Sequence, residues 1–291
     1  MSFSSIREML QACQESRQPL YEVILESDLA ESGLTRAESE AEMHRLWSVM
    51  RATSDGYCGA DRSMSGFVGG DAAKVEQAAA RGTLYASGYF ASVMAEALKT
   101  AECNACMKRI VAAPTAGSCG VLPAVLLPLW RTGAADEEAV CRALYVAAGF
   151  GQVVASRATL AGAEGGCQAE VGSAAAMAAA ALVQMLGGTP EQALDASSIA
   201  LSNLLGLVCD PVGGLVEVPC QNRNAIGVAA AFSSAQLALA GIKSLVPFDQ
   251  MAHVMLSVGH ALPATLRETA KGGIAQAPAA LSACAKCGVC G

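Results

Sequence analysis

Three cysteines stand where glycine or proline opens the backbone. Cys167 follows Gly165-Gly166, Cys209 begins Cys209-Asp210-Pro211-Val212-Gly213-Gly214, and Cys220 follows Val218-Pro219. A thiolate at such a loop or helix boundary is available to a metal, and small neighbours let a bulky cluster approach the main chain. The intervals of 42 and 11 residues fit neither a zinc finger nor a ferredoxin run, so spacing alone leaves the metal open. Twelve cysteines occur in all. The N-terminal residues show no basic start followed by an apolar run, so the expectation is a cytoplasmic protein with reduced thiols serving metal or redox chemistry. Cys13, Cys58 and Cys141, each alone in a helical pattern, read as small buried hydrophobes. Cys103-x-x-Cys106 and Cys284-x-x-Cys287-x-x-Cys290 keep a non-enzymatic electron-transfer role open, the latter resembling a ferredoxin run without its fourth cysteine.

Two glycine-bearing loops complement the thiols. Ser63-Met64-Ser65-Gly66-Phe67-Val68-Gly69-Gly70-Asp71 and Pro114-Thr115-Ala116-Gly117-Ser118-Cys119-Gly120 set hydroxyls and backbone amides just before helices. Free N–H groups at a helix start bind a carboxylate or phosphate, although ordinary turns and caps write the same pattern. Neither loop matches a Walker or dinucleotide fingerprint. Ser63, Ser65, Gly69, Gly70, Asp71, Thr115 and Ser118 are therefore the substrate-binding candidates. Beside Cys220, Arg223 and Asn224 have the chemistry to reach a substrate carboxylate or a cluster sulfide. Asp210 reads as a cap for Val212 or its neighbours, Arg267-Glu268 as an ion pair, and His44, His253 and His260 as ordinary surface or core residues.

The elements that position these groups read as helices. Ile6, Met9, Leu10 and Cys13 share a helical face, and Met43, Leu46, Trp47 and Met50 repeat it. Thr35 with Glu38 forms a capping-box pattern. Thr189-Pro190-Glu191-Gln192 opens a helix, and Gly187-Gly188 closes the one before. The fold expected is all-α: a single large helical domain with the site loops between helices. The charged residues 1–60 form an N-terminal helical layer of that domain, and residues 281–291 a cysteine-rich tail. Hydrophobic residues make up 53% of the chain and charged ones 15%, which demands extensive burial in a core or against a partner. Val171 to Gly188 is long and weakly polar, but alanine contributes little transfer energy, so a buried close-packed helix is expected rather than a membrane span. A net charge of −7 with 4% aromatic residues argues against nucleic-acid binding.

The segments SMSGFVGGDAAK, APTAGSCGVLPA, GCQAEVGSAAAMAAAALVQMLGGTPEQ, LGLVCDPVGGLVEVPCQNRNAIG and LRETAKGGIA, in this order, resemble the α chain of iron–sulfur L-serine dehydratases from about residue 60 nearly to the C-terminus. The resemblance implies that residues 61–280 form the catalytic iron–sulfur domain, with a 4Fe-4S cluster held by Cys167, Cys209 and Cys220. It also implies that Cys290 is a resting fourth ligand, that L-serine is the substrate, and that a separate β chain carries the histidine motif and the base. Lys74 matches the lysine of the family's glycine-glycine-aspartate segment, which makes it a candidate for carboxylate binding or proton transfer. Pyridoxal phosphate is not expected: six lysines occur, and none has a clear phosphate-binding context. An iron–sulfur L-cysteine desulfidase is the nearest enzymatic alternative.

Overall fold

A computed structural model describes residues 3–85 and 88–290. Met1, Ser2, Ala86, Ser87 and Gly291 lie outside it, and with them the extreme ends of the expected N-terminal layer and tail. The chain runs through α1 (Ile6–Ser16), α2 (Leu20–Ser32), α3 (Arg36–Asp55), α4 (Asp71–Ala80), α5 (Tyr89–Ala105), α6 (Val121–Arg131) and α7 (Glu137–Arg157). It continues with α8 (Gly162–Gly165), α9 (Ser173–Met185), α10 (Pro190–Ser202), α11 (Cys220–Leu239), α12 (Phe248–Ala261) and α13 (Pro278–Cys287). Among the described residues there is no strand, only an isolated bridge between Cys209 and Arg267. The all-α, single-domain expectation holds.

Helix α9 is the axis of the core and packs against α6, α7, α10 and α11. Ala174, Ala175, Ala176, Ala178, Ala179, Ala180 and Ala181 are wholly buried. Alanine is the best helix former and has no rotamers to lose, so an alanine-rich helix can be surrounded closely by other backbones. Within the stretch from Val171 to Gly188, Ser173–Met185 is thus an interior helix, and Leu186 and Gly187 reach the surface in the turn that closes it. The helix long and apolar enough to cross a membrane, by length and composition, is α7, and 67% of its apolar window is buried inside the protein. Outside this core, α1 packs on α7, α10 and α12, α2 on α7, and α3 on α5, α6 and α7.

The helix ends follow local chemistry. Thr35 and Glu38 exchange hydrogen bonds at the start of α3, and Thr189 and Gln192 do the same at α10, with Pro190 in its first turn. After α9 the chain reverses at Gly187, which has a positive φ of 74°, and the Gly188 N–H donates to Val183 O at 2.9 Å. Cys13 and Cys141 are buried as expected, but Cys58 is exposed, because it falls in the turn after α3 rather than on a helix.

Candidate functional site

The first turn of α11 ties the sequence motifs together. Just before it, the buried Glu217 accepts hydrogen bonds from Ser63 Oγ, at 2.7 Å, and from Ser65 Oγ. Gln221 Nε2 donates to Asp71 Oδ2 at 2.9 Å. Asn224 donates to Gly117 O and Cys220 O, each at 2.8 Å, and accepts from Gly120 N at 2.8 Å. Both glycine loops are therefore locked to the helix that begins with Cys220.

The three predicted cysteines are buried together. Cys167 precedes a π-helical turn over Gln168–Gly172, Cys209 lies in the Val208–Pro211 segment, and Cys220 starts α11. Gln168 fixes the first of these: its amide donates to Gly165 O and Met255 O, and its carbonyl accepts from Gly206 N. Main-chain bonds from Cys209 N to Leu266 O and from Glu268 N to Cys209 O strap the second to the segment after α12. Burial pushes the Cys167 thiol up to about 11, opposed by the Arg223 guanidinium within hydrogen-bonding reach. Cys220 is pushed up to about 12 by burial and by the charges of Cys167 and Glu170. Cys209 is raised further still, by burial first and then by Glu170, Cys167, Glu268 and Cys220. Without a cation between them these thiols stay protonated at neutral pH, and metal entry must displace their protons. Among the described residues no three His, Cys, Asp or Glu side chains close on a single metal ion.

Other expectations are redirected. Arg223 donates to Val208 O and Asp210 Oδ1, both at 2.7 Å, so apart from its reach toward Cys167 it braces the Cys209 segment. Asp210 also accepts from Ile274 N at 2.7 Å instead of capping Val212. Asn224 is a brace as well, since its amide is already engaged on both sides. Arg267 donates to Glu164 O rather than pairing with Glu268, because the bridge with Cys209 turns these neighbours apart. The amides at the start of α4 are covered from within: Glu102 accepts from Gly70 N at 2.6 Å and from Ala72 N at 2.8 Å. A Cβ on Gly70 would meet Gly59 O at 2.8 Å and one on Gly69 would collide with Asp61 O, so both glycines serve the tight loop. Lys74 is an exposed side chain paired with Asp71 at 2.6 Å, which gives a role as base no geometric support. His44 and His260 pair at the surface with Glu137 and Glu164.

In the tail, Cys290 sits with Cys284 and Cys287 rather than with the three buried thiols. The Cys287 and Cys290 sulfurs are 2.9 Å apart, and a Cβ on Gly213 would collide with the Cys290 sulfur and meet that of Cys284 at 3.0 Å. The tail therefore docks on the loop that follows Cys209.

Sequence reasoning missed three carboxylates: Glu102, Glu217 and Glu170. Glu170 lies in the π-helical turn, accepting from Thr115 Oγ1 at 2.7 Å with its other oxygen 3.9 Å from the Cys209 sulfur. Ser118 Oγ reaches Thr115 Oγ1 at 3.1 Å. A signal was present, since Glu170 is the sole charge between Glu164 and Glu191.

The family model described as "Serine dehydratase alpha chain" matches residues 8–275. The chain belongs to the serine dehydratase alpha chain family. Within it, the "L-serine dehydratase, alpha chain" of Peptoniphilus asaccharolyticus is 45% identical over 273 residues, covering 94% of each chain. The "Probable L-serine dehydratase, alpha chain" of Bacillus subtilis is 41% identical, covering 95% of this chain and 92% of its own. The match to "L-serine dehydratase 2" of Escherichia coli, at 35% identity, covers 94% of this chain and 61% of that longer protein. The family match spans all three buried cysteines and ends before Cys284.

Proposed function

We propose that this chain is the α subunit of an L-serine dehydratase, converting L-serine to pyruvate and ammonia with a 4Fe-4S cluster on Cys167, Cys209 and Cys220 and a separate β chain. The observation that carries the reading is the burial of these three thiols within reach of one another's charge in a serine dehydratase alpha chain. The donor set fits the cluster in its chemistry: three buried cysteines from three segments, bordered by glycines and one guanidinium. When bound, such a cluster supplies an iron without a protein thiolate, a Lewis acid for the β-hydroxyl of serine.

The chain's own residues shape the rest. Arg223 and Asp210 hold the Cys209 segment rigid, while Asn224 and Gln168 fix the turns bearing Cys220 and Cys167, so the ligands are preorganised. Ser63 and Ser65, through Glu217, and Thr115 and Ser118, beside Glu170, bring polar groups toward the same region for the substrate's charged ends. The base that takes the α-proton belongs to the β chain, and the cytoplasm keeps the thiols reduced. Anaerobic reconstitution with iron and sulfide, with and without the β chain, tests this reading. Pyruvate formation from L-serine, faster than sulfide release from L-cysteine and dependent on both components, is the expected result. Pyruvate formation by iron-free protein with pyridoxal phosphate would overturn it.

A further inference from the structure

We infer that Glu170 is the substrate-binding residue for the α-ammonium group of serine. The inference rests on the proposed serine dehydratase activity and assigns one end of the substrate in its pocket.

The turn that carries Glu170 is π-helical, and such a bulge re-aims a side chain that a regular helix would direct elsewhere. Space is kept for the carboxylate on both sides. A Cβ on Gly162 would meet Glu170 Oε2 at 2.6 Å, and one on Gly117 would meet Oε1 at 3.1 Å. One oxygen takes the Thr115 hydroxyl, and the other faces the Cys209 sulfur at 3.9 Å, so the group borders the buried thiols.

What the carboxylate lacks is a cation of its own. Arg223 is the cation felt at Glu170, and its terminal nitrogens are committed to Val208 O and Asp210. A partly buried carboxylate left without an ion-pair partner favours the arrival of a positive group. L-Serine brings one such group, its α-ammonium, with three donors. Glu170 and the Thr115 oxygen provide adjacent acceptors for it, at the edge of the pocket where the hydroxyl must lie.

The test compares binding of L-serine with that of 3-hydroxypropanoate, which keeps the hydroxyl and carboxylate but lacks the ammonium. Anaerobic steady-state kinetics on the reconstituted complex with its β chain give the KM for L-serine and the inhibition constant of 3-hydroxypropanoate, and iron and sulfide analysis gives a readout independent of turnover. In Glu170→Gln, L-serine binding is expected to weaken about 100-fold while 3-hydroxypropanoate binding stays within about threefold, as for loss of one partner of a desolvated charge pair. Iron content is expected to stay at the wild-type level. Equal weakening of both ligands, or no change in either, overturns the inference. Should Glu170→Gln lose iron, Glu170→Asp decides: retained preference for L-serine supports the assignment, and equal affinity for the two ligands overturns it. Wild-type complex that binds neither ligand fails the serine dehydratase reading itself, a result distinct from an altered ratio in the variants, and removes this inference with it.

Discussion

Two sets of three cysteines share this chain and differ in everything that decides thiol chemistry. Cys167, Cys209 and Cys220 come from three separate segments, are buried, and are held by side-chain and main-chain bonds reaching α11, α12 and both glycine loops. Cys284, Cys287 and Cys290 come from one short helix and the turn after it, and all are only partly buried. The first set pays for its order with raised pKa values. In the second, the Cys290 hydrogen bond lowers the Cys287 pKa, whereas burial and its two thiol neighbours raise that of Cys290. The difference teaches that cysteine spacing in sequence is a poor guide to a site. The compact C-x-x-C-x-x-C run makes a local cluster on the surface, and the dispersed set makes the pocket.

The comparison breaks most severely if the dispersed set is dispensable. Serine at any one of Cys167, Cys209 or Cys220 should lower pyruvate formation more than about 100-fold, beyond the range typical of losing an outer-shell partner, and lower bound iron with it. Steady-state assay and iron analysis of the three single variants check this. Next in size is the brace. Asp210→Ala strands the buried Arg223 and the Ile274 N–H, and it should cost about 3 kcal/mol of stability, read by denaturant unfolding of the metal-free protein.

A pH dependence sharpens the contrast. Burial raises Cys119 to about 12, Cys167 to about 11 and Cys220 to about 12, from an ordinary 9.0. Between the ordinary and raised values the unfolded chain has released protons that the folded chain retains. Stability is therefore fully present below pH 9.0 and falls above it, by about 1.4 kcal/mol per pH unit for each such thiol. Thermal unfolding of reduced, metal-free protein from pH 8 to about 10 tests the sign. Reactivity follows the same rule: iodoacetamide at about pH 7.5 should alkylate Cys287 first and Cys167 and Cys220 last, as peptide mass mapping over time would reveal. The smallest effect belongs to Cys290→Ser: with this thiol held against Cys287 and Gly213, the variant should retain the cluster and the wild-type activation lag. Loss of the lag with greater oxygen sensitivity would instead make Cys290 a ligand at rest. Anaerobic progress curves check this.

Much of the fold was legible because its signals are local. Thr35 with Glu38, Thr189-Pro190 with Gln192, and Gly187-Gly188 each act within a few residues, and each does what its chemistry dictates. The proposed cysteine ligands were legible only through family resemblance, since 42 and 11 residues of intervening chain carry no geometry. The partners that Asn224, Arg223 and Asp210 take in the structure, such as Gly117, Val208 and Ile274, were not legible because they are chosen by tertiary packing. Glu102 shows the same limit: it occupies the amides of the Gly70 loop from a different helix, so the loop looked more open in sequence than it is.

On the proposed function the dispersed thiols, and not the tail, hold the cluster. Iron and acid-labile sulfide per chain, measured after anaerobic reconstitution of two triple variants, test it most directly. The variant with serine at Cys284, Cys287 and Cys290 should retain the wild-type content, and the variant with serine at Cys167, Cys209 and Cys220 should hold none. An intact cluster in the second variant and its loss from the first would contradict the account.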